Sequence, residues 1–298
     1  TLQSGNPPVS VRIAVVADIH HGAPSATKRG DTALDLMADF ARFSNDARPD
    51  FVVDLGDRIS DIGRDEDLRL EREVAEAFKA VEAPIHHING NHDRDHLEVA
   101  DNEAILGQPM VNTTFDAGGW RIVLWRADSK IMRKPEHTGF ILREADLLWL
   151  SRVAQTTDRP LLVLSHVPVS GHGQTGNYYF ERNPSASTYP MAERARAALA
   201  QCRFPVVCLS GHVHWNTVTT VDGITHLTQQ SLTESFTTSG EPAGSFSLLE
   251  LDDTVSWQVR GRDPFAFSFR PTATRWTPVL PPFSQHVETA AKRRGDLT

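Results

Sequence analysis

Short runs of apolar residues, many of them β-branched, recur along the chain, and a polar motif follows each run directly. Continuous runs of this kind predict strands that are buried on both faces of a sheet. The runs cover residues 11–17, 51–55, 85–88, 161–164 and 206–209. The motifs that follow them are Asp18-Ile19-His20, Gly56-Asp57-Arg58, Asn89-Gly90-Asn91-His92-Asp93, Ser165-His166 and Ser210-Gly211-His212-Val213-His214.

Apolar residues at helical spacing separate several of these predicted strands. The periodic positions are Val74, Phe78 and Val81, then Leu147, Leu150 and Ala154, then Ala192, Ala195 and Leu199. Strands that alternate with helices predict an α/β fold with largely parallel strands. Ligands of such sheets bind beyond the carboxyl ends of the strands. Every polar motif falls at that end, so the pattern predicts an active site there.

Other segments depart from this alternation. Residues 111–127 predict a hairpin, and residues 217–251 are rich in strand-forming residues. Residues 167–189 lack any period and predict a long loop, and long loops in compact domains are usually functional. We therefore expect one domain over residues 1–270 and a proline-rich irregular arm or tail over residues 271–298.

Composition narrows the class of partner. The chain has 298 residues, a formal net charge of −8 and a sequence pI near 5.9. A negative surface repels nucleic-acid backbones and anionic membranes, so we expect neither as a partner. No apolar stretch approaches the roughly 18 residues of a membrane span. We expect a cytoplasmic protein, with oligomerisation and the removal of a signal peptide before Thr1 left open.

The polar motifs supply nitrogen and oxygen ligands for metal ions. Asp18 and His20 are two positions apart at a strand end, where the pleat would direct both side chains to one side, and His212 and His214 repeat the spacing. This ligand chemistry suits Mn, Fe, Co or Zn ions. Too many ligands are present for one catalytic ion, whereas two ions bridged by one carboxylate would use them all. The candidates are Asp18, His20, Asp57, Asn91, His166, His212 and His214.

Taken singly, each motif has an ordinary structural explanation, such as a turn at Gly-Asn-His-Asp. In order and together, D-x-H, G-D, G-N-H-D, H and G-H-x-H resemble the calcineurin-like metallophosphoesterases, most closely the bacterial class III cyclic-nucleotide phosphodiesterases and glycerophosphodiesterases. The resemblance implies a four-layer α-β-β-α sandwich with two mixed sheets. It also implies two metal ions, which are divalent or mixed-valent. One ion is assigned to Asp18, His20, Asp57 and His214, and the other to Asp57, Asn91, His166 and His212.

The expected reaction is hydrolysis of a small phosphate ester. Two ions about 3.5–4 Å apart would activate a bridging hydroxide, which attacks phosphorus in line. His92 is placed to protonate the leaving oxygen, and Asp93 is expected to hold the His92 imidazole. The histidine of G-N-H-D has this kind of role in the family. His21, which neighbours a ligand, is expected to face away from the centre.

Three residues near the predicted ligands are candidates for substrate binding. Arg58 offers a planar fork to phosphate oxygens, or else forms a surface ion pair with Asp61. His172 and Arg182 lie in the long loop after the ligand His166. The aromatic character of that loop favours a diester, whose spare substituent needs a groove. A phosphomonoesterase with the same metal site and a catalytically inactive scaffold protein are the alternatives.

Overall fold

A computed structural model describes residues 10–134 and 137–277 of the chain. Two six-stranded mixed sheets dominate the fold. The first sheet has the order β14-β13-β12-β1-β2-β3, and the second has the order β10-β11-β9-β8-β5-β4. A separate hairpin pairs β6 (Met132–Lys134) with β7 (His137–Gly139).

The strands of the first sheet are β1 (Val11–Val16), β2 (Phe51–Asp54), β3 (Ile85–His87), β12 (Phe246–Leu251), β13 (Val255–Arg260) and β14 (Phe265–Phe269). Those of the second are β4 (Thr113–Ala117), β5 (Trp120–Leu124), β8 (Leu161–Ser165), β9 (Val206–Ser210), β10 (Thr217–Val221) and β11 (Ile224–Thr228). Strands β1, β2 and β3 run parallel, as do β5, β8, β9 and β11. The carboxyl ends of both parallel sets carry the polar motifs.

The helices are α1 (Ala33–Ala47), α2 (Arg64–Phe78), α3 (His92–Asp95), α4 (Val99–Leu106), α5 (Glu144–Thr156) and α6 (Ala192–Leu199), with short 3-10 turns at Gly30–Thr32 and Pro184–Ala186. Residues Ala14 and Val16 of β1 pack against α1 and α2, and alternate residues Ile13 and Val15 pack between the two sheets. Helices α5 and α6 cover the outer face of the second sheet. The predicted four-layer α-β-β-α sandwich is confirmed.

The five apolar runs form strands whose ends differ from prediction by at most one residue each. The predicted hairpin is also present, and strands β10 and β11 within the strand-rich segment are joined by a turn at Asp222-Gly223. The sequence pattern missed helices α1, α3 and α4, the edge strand β14 and the β6–β7 hairpin. Residues 271–277 of the predicted arm have no regular structure, and residues 278–298 lie outside the described residues. Within the described ranges, no helix is long and apolar enough to cross a membrane.

Candidate metal centre

The polar motifs leave the strand conformation where the strands end. Residues other than glycine rarely adopt a left-handed backbone, and such residues cluster at functional sites. The prediction that a strand pleat directs the first two ligands is wrong, because β1 ends at Val16 and sharp turns direct both side chains. Five predicted ligands have a positive φ: Asp18 (52°), His20 (47°), Asp57 (55°), His212 (70°) and His214 (60°).

Hydrogen bonds hold the turn after β1 on two sides. The Asp18 N–H donates to Gly56 O over 2.9 Å, and the His20 N–H donates to Asp57 O over 3.0 Å. From the other side, the Ser231 hydroxyl donates to Asp18 O over 2.6 Å. These contacts tie the motif after β1 to the motif after β2 and to the loop after β11.

Two glycines permit the closest approaches in the centre. Both carboxylate oxygens of Asp18 accept the backbone N–H of His212, over 3.0 and 2.9 Å. A Cβ at Gly211 would lie 2.6 Å from Asp18 Oδ2, and a Cβ at Gly90 would lie 2.1 Å from Asp57 Oδ1. Both distances are too short for any side chain, so these positions require glycine.

A first cluster brings donor atoms of four predicted ligands within 4.8 Å of one another. His20 Nε2 lies 2.9 Å from His214 Nε2 and 3.8 Å from Asp57 Oδ2. His214 Nε2 lies 3.4 Å from Asp18 Oδ1. Two atoms bound at about 2.1 Å to one ion, at angles of roughly 90–110°, are about 3.0–3.4 Å apart. The spacing therefore fits a shared metal ion.

A second cluster contains Asp57, His166 and His212. His166 Nε2 lies 3.3 Å from Asp57 Oδ2 and 3.3 Å from Asn91 Oδ1. The same Asp57 oxygen therefore borders both clusters, whereas Asp57 Oδ1 accepts the backbone N–H of His92 over 2.8 Å. The structure brings together all seven residues in the two sets that the resemblance implied, and their role as metal ligands stays a prediction.

In three of the four candidate ligand histidines, a hydrogen bond to the far side of the imidazole selects the nitrogen that faces the centre. His166 Nδ1 donates to a backbone carbonyl over 2.8 Å, and His214 Nδ1 donates to Glu234 Oε2 over 2.9 Å. In both rings Nε2 is left for an ion. In His212 the roles are reversed, because Nε2 donates to Ala186 O over 2.8 Å. No sequence pattern marked Glu234, which lies twenty positions after His214.

Unpaired polar atoms test whether metal ions fit these clusters. Asp57 Oδ2 and His212 Nδ1 are buried without a hydrogen bond to any residue that the structure describes. Burial of one such atom costs about 1–3 kcal/mol unless a partner is supplied. A metal ion in each cluster would supply those partners, and the mixed imidazole and oxygen donors suit a transition metal. The residues present therefore fit two ions.

Charge in the metal-free centre is unevenly divided among the histidines. Burial lowers the pKa of His166, but the carboxylates of Asp57 and Asp18 and the hydrogen bond to Leu55 O together outweigh burial and raise that pKa to about 9. Burial likewise opposes protonation of His214, yet Asp18 and Glu234 raise its pKa to about 9. Burial lowers the pKa of His212 to about 3. Two imidazolium groups thus stand where metal charge would balance the carboxylates.

His92 lies beside the first cluster, with its ring 4.7 Å from that of His20. Its Nδ1 contacts Asp61, not Asp93 as predicted. Burial raises the pKa of Asp61, but the interactions with His92 and the hydrogen bond with Asp95 together outweigh burial and hold that pKa below its ordinary range. Asp93 follows His92 directly on helix α3, and adjacent helical residues point in different directions.

The buried Asp93 instead accepts backbone N–H groups. They belong to Asp57, Arg58 and Gly90, over 2.9, 2.7 and 2.8 Å. Asp93 therefore joins the Gly-Asp motif to the Gly-Asn-His-Asp motif. Its predicted role as the partner of the His92 ring is wrong.

Both predicted roles of Arg58 are also wrong. Its side chain is completely buried, where Nε donates to Glu71 Oε1 over 2.5 Å and Nη1 donates to Asp54 Oδ2 over 2.9 Å. Nη2 donates to Asn89 Oδ1 over 2.7 Å. The left-handed turn at Asp57 directs the Arg58 side chain away from solvent, and the carboxylates of Glu71 and Asp54 compensate the charge of the guanidinium. Arg58 supports the motif from below and has no path to a phosphate.

A cavity of about 270 Å³ opens onto both clusters. Part of the long loop forms one wall, together with Ile131, so this loop borders the cavity at the metal centre. Lys28 and Arg133 bring positive charge to the same cavity, and neither was expected from the sequence. The loop residues at the cavity are Asn177, Tyr178, Tyr179, Phe180 and Ala186.

The two loop residues predicted to bind substrate lie outside this cavity. Arg182 is exposed to solvent. The His172 ring lies 5.8 Å from the ring of Trp215, and its Nδ1 accepts the backbone N–H of Gln174. His21 faces away as expected, with Nε2 2.7 Å from Glu73 Oε2.

Comparison with solved structures finds proteins of the same fold. Among solved structures, a dimetal phosphatase from Danio rerio is 18% identical with a TM-score of 0.69, over 90% of this chain and 100% of that chain. GAP50, the anchor in the inner membrane complex of Plasmodium, is 16% identical with a TM-score of 0.52, over 89% of this chain and 90% of that chain. These likenesses show the fold alone.

Comparison with curated proteins gives no match. Residues 11–216 match the family described as calcineurin-like phosphoesterase, and this stretch contains every predicted ligand. The bacterial phosphodiesterase subtype stays a prediction. The chain belongs to the calcineurin-like phosphoesterase family.

Proposed function

We propose that this protein is a binuclear-metal hydrolase that cleaves small organic phosphodiesters. The observation that carries the proposal is a single oxygen, Asp57 Oδ2, which lies 3.8 Å from His20 Nε2 in one set of candidate ligands and 3.3 Å from His166 Nε2 in the other. Asp57 also lines the cavity. Asp18, His20 and His214 would hold one ion with Asp57. Asn91, His166 and His212 would hold the other, again with Asp57. Mn, Fe, Zn or Co would suit the donor atoms.

Two ions held in this way would supply an activated water and would neutralise the phosphoryl oxygens. His92 supplies a proton to the leaving oxygen from Nε2, because its Nδ1 is engaged by Asp61. The Asp61 carboxylate fixes the ring orientation, so that Nε2 is the nitrogen that faces the leaving oxygen. Asp61 therefore acts through His92 as a positioning residue.

The cavity walls support a diester rather than a monoester. Tyr178, Tyr179, Phe180 and Ile131 make one side largely apolar, which suits the second ester substituent. A monoester dianion would need more positive charge than a diester monoanion. Of the two cations at the cavity, Arg133 is already engaged by Asp95.

The test is a substrate panel on protein of measured metal content. Bis-p-nitrophenyl phosphate, cyclic nucleotides and glycerophosphodiesters represent diesters, and p-nitrophenyl phosphate represents monoesters. We expect higher kcat/KM for at least one diester than for the monoester. Preference for the monoester across the panel would refute the diesterase assignment and leave the metallophosphoesterase assignment standing.

One observation favours the monoesterase alternative. The Lys28 ammonium borders the cavity and makes no hydrogen bond or ion pair within the described ranges. It is therefore able to bind a phosphate oxygen. If Lys28→Met lowers kcat/KM for the monoester much more than for the diester, the monoester is the better match to the site.

An inactive scaffold is the second alternative. The fold also occurs in GAP50 of Plasmodium, a protein that is described as an anchor. A fully metal-loaded protein that hydrolyses no member of the panel would favour it. The complete set of candidate ligands, together with His92 and its carboxylate partner, supports the enzyme instead.

A further inference from the structure

The turn that carries His92 also borders a second cavity, of about 470 Å³. This second cavity shares no lining residue with the cavity at the metal centre. Asn91 and His92 line the cavity at the metal centre, whereas Asn89 and Arg94 line the second cavity. The second cavity is therefore a separate compartment next to the centre.

Charged side chains of both signs line the second cavity, and most of them are paired. Asp128 accepts a hydrogen bond from Arg143 over 2.6 Å and lies 3.5 Å from Arg94 Nε. Glu98 lies 3.3 Å from the Lys130 ammonium. The lining has equal numbers of positive and negative groups, namely Arg94, Arg126, Arg143, Glu98, Asp128 and Asp146.

Arg126 is a cation without a carboxylate partner in the described part of the chain. Its three nitrogens donate to neutral oxygens only: His87 O over 2.8 Å, Val111 O over 2.9 Å and Gln108 Oε1 over 3.2 Å. Burial lowers the pKa of Arg126 to about 10, with no acidic group to offset it. Two of the five N–H groups of the guanidinium remain for a ligand.

Asp146 is the matching anion without a cation, again among the residues that the structure describes. Its Oδ1 accepts a hydrogen bond from Asn112 Nδ2 over 2.7 Å. The side-chain oxygen of the same Asn112 accepts the backbone N–H of Arg126 over 2.7 Å. The amide of Asn112 is thus bonded to both residues, and Arg126 and Asp146 do not pair with each other.

We propose that the second cavity binds a small zwitterion, whose carboxylate pairs with Arg126 and whose ammonium group pairs with Asp146. A guanidinium fork matches a carboxylate in two parallel hydrogen bonds. A zwitterion also leaves the cavity electrically neutral overall. A phosphate or dicarboxylate would bring excess negative charge close to Asp128 and Asp146.

The proposal is tested by calorimetric titration of the metal-loaded protein with glycine, β-alanine, 4-aminobutyrate and 6-aminohexanoate. Butyrate, butylamine and inorganic phosphate serve as probes that carry only one sign of charge. We expect saturable binding of at least one zwitterion, about tenfold tighter than the single-charge probes. Metal-free protein should bind it equally well, because no predicted metal ligand lines the second cavity.

Two variants and one matched control assign the binding to this cavity. Arg126→Gln and Asp146→Asn should each weaken binding about tenfold, because each removes one charge pair. Glu98→Gln should change it little, since Glu98 lines the same cavity but already has cationic partners. If Arg126→Gln does not fold, the conservative Asp146→Asn decides alone.

Three outcomes would overturn the proposal. The first is that no zwitterion binds saturably at millimolar concentration. The second is that Asp146→Asn binds the zwitterion as tightly as the unaltered protein. The third is that phosphate or butyrate binds as tightly as the zwitterions, which would make this a site for simple anions.

Discussion

Asp61→Asn is the sharpest test of how this site handles the leaving group. The substitution keeps the size of the side chain and removes the charge that faces His92 Nδ1. If His92 protonates the leaving oxygen, the variant should act slowly on esters of poor leaving groups. It should act almost normally on p-nitrophenyl esters, because p-nitrophenolate leaves without a proton.

The magnitude follows from the kind of contact that is lost. Hydrogen bonds to charged groups contribute roughly 1.5–3 kcal/mol. The two side chains are 26% and 17% exposed, so solvent reduces the interaction and the lower value is appropriate. A loss of about 1.5 kcal/mol in the hydrogen bond that orients the His92 ring corresponds to about a tenfold lower kcat on an alkyl ester.

The assay compares kcat on a dialkyl phosphate diester, which has a poor leaving group, with kcat on bis-p-nitrophenyl phosphate. Metal content is measured in every sample. Glu73→Gln is the matched control, because it removes the carboxylate that pairs with His21 outside the centre. Asp93→Asn should instead lower the thermal stability, since Asp93 holds three buried backbone N–H groups. Equal losses of Asp61→Asn on both esters would refute the proton-donor role.

Further predictions concern the metals and the cavity. Asp57→Ala should lose both ions together, whereas His20→Ala should mainly weaken the binding of one ion. Elemental analysis of Mn-loaded protein measures this, and one ion retained in Asp57→Ala would contradict the shared carboxylate. With pKa values of about 9, His166 and His214 are protonated at pH 7 in the metal-free chain. Metal binding at pH 7 should therefore release about two protons, and the affinity for metal should rise with pH up to about pH 9. Calorimetry in buffers of different ionisation enthalpy measures that release, and no release would contradict it. Tyr178→Ala should lower kcat/KM for diesters more than for monoesters, whereas the exposed Arg182→Ala should change neither; parallel losses would argue against an aromatic substrate wall.

Much of the fold was predictable because the buried strands are continuous apolar runs. Each is bounded by a motif that cannot remain in a strand, so even the strand ends were close to prediction. Helix α1 was missed although Met37, Phe40, Ala41 and Ser44 show the buried spacing of a helix. The edge strand β14 escaped because Phe265–Phe269 is half exposed and borders an irregular segment.

At the site, spacing predicted which residues meet and failed to predict their orientation. The position of a residue in the sequence is a poor guide to the direction of its side chain here, because a left-handed residue turns the chain sharply within one position. Arg58 is buried under the site although Asp57 lies in it. Asp61, four positions after Asp57, reaches the His92 ring that the adjacent Asp93 does not. Glu234 reaches His214 from a different loop and had no local signal.

The left-handed residues also explain why the centre needs so much buried support. Each non-glycine residue in that region costs of order 1–3 kcal/mol, so such residues persist only where their surroundings hold them. Here the support consists of Asp93 below the Gly-Asp motif, Ser231 beside Asp18, and Gly90 where no side chain would fit. None of these groups is a predicted metal ligand. Replacing Gly90 by Ala would therefore disturb Asp57, and with it both candidate ion sites, without removing a single donor atom.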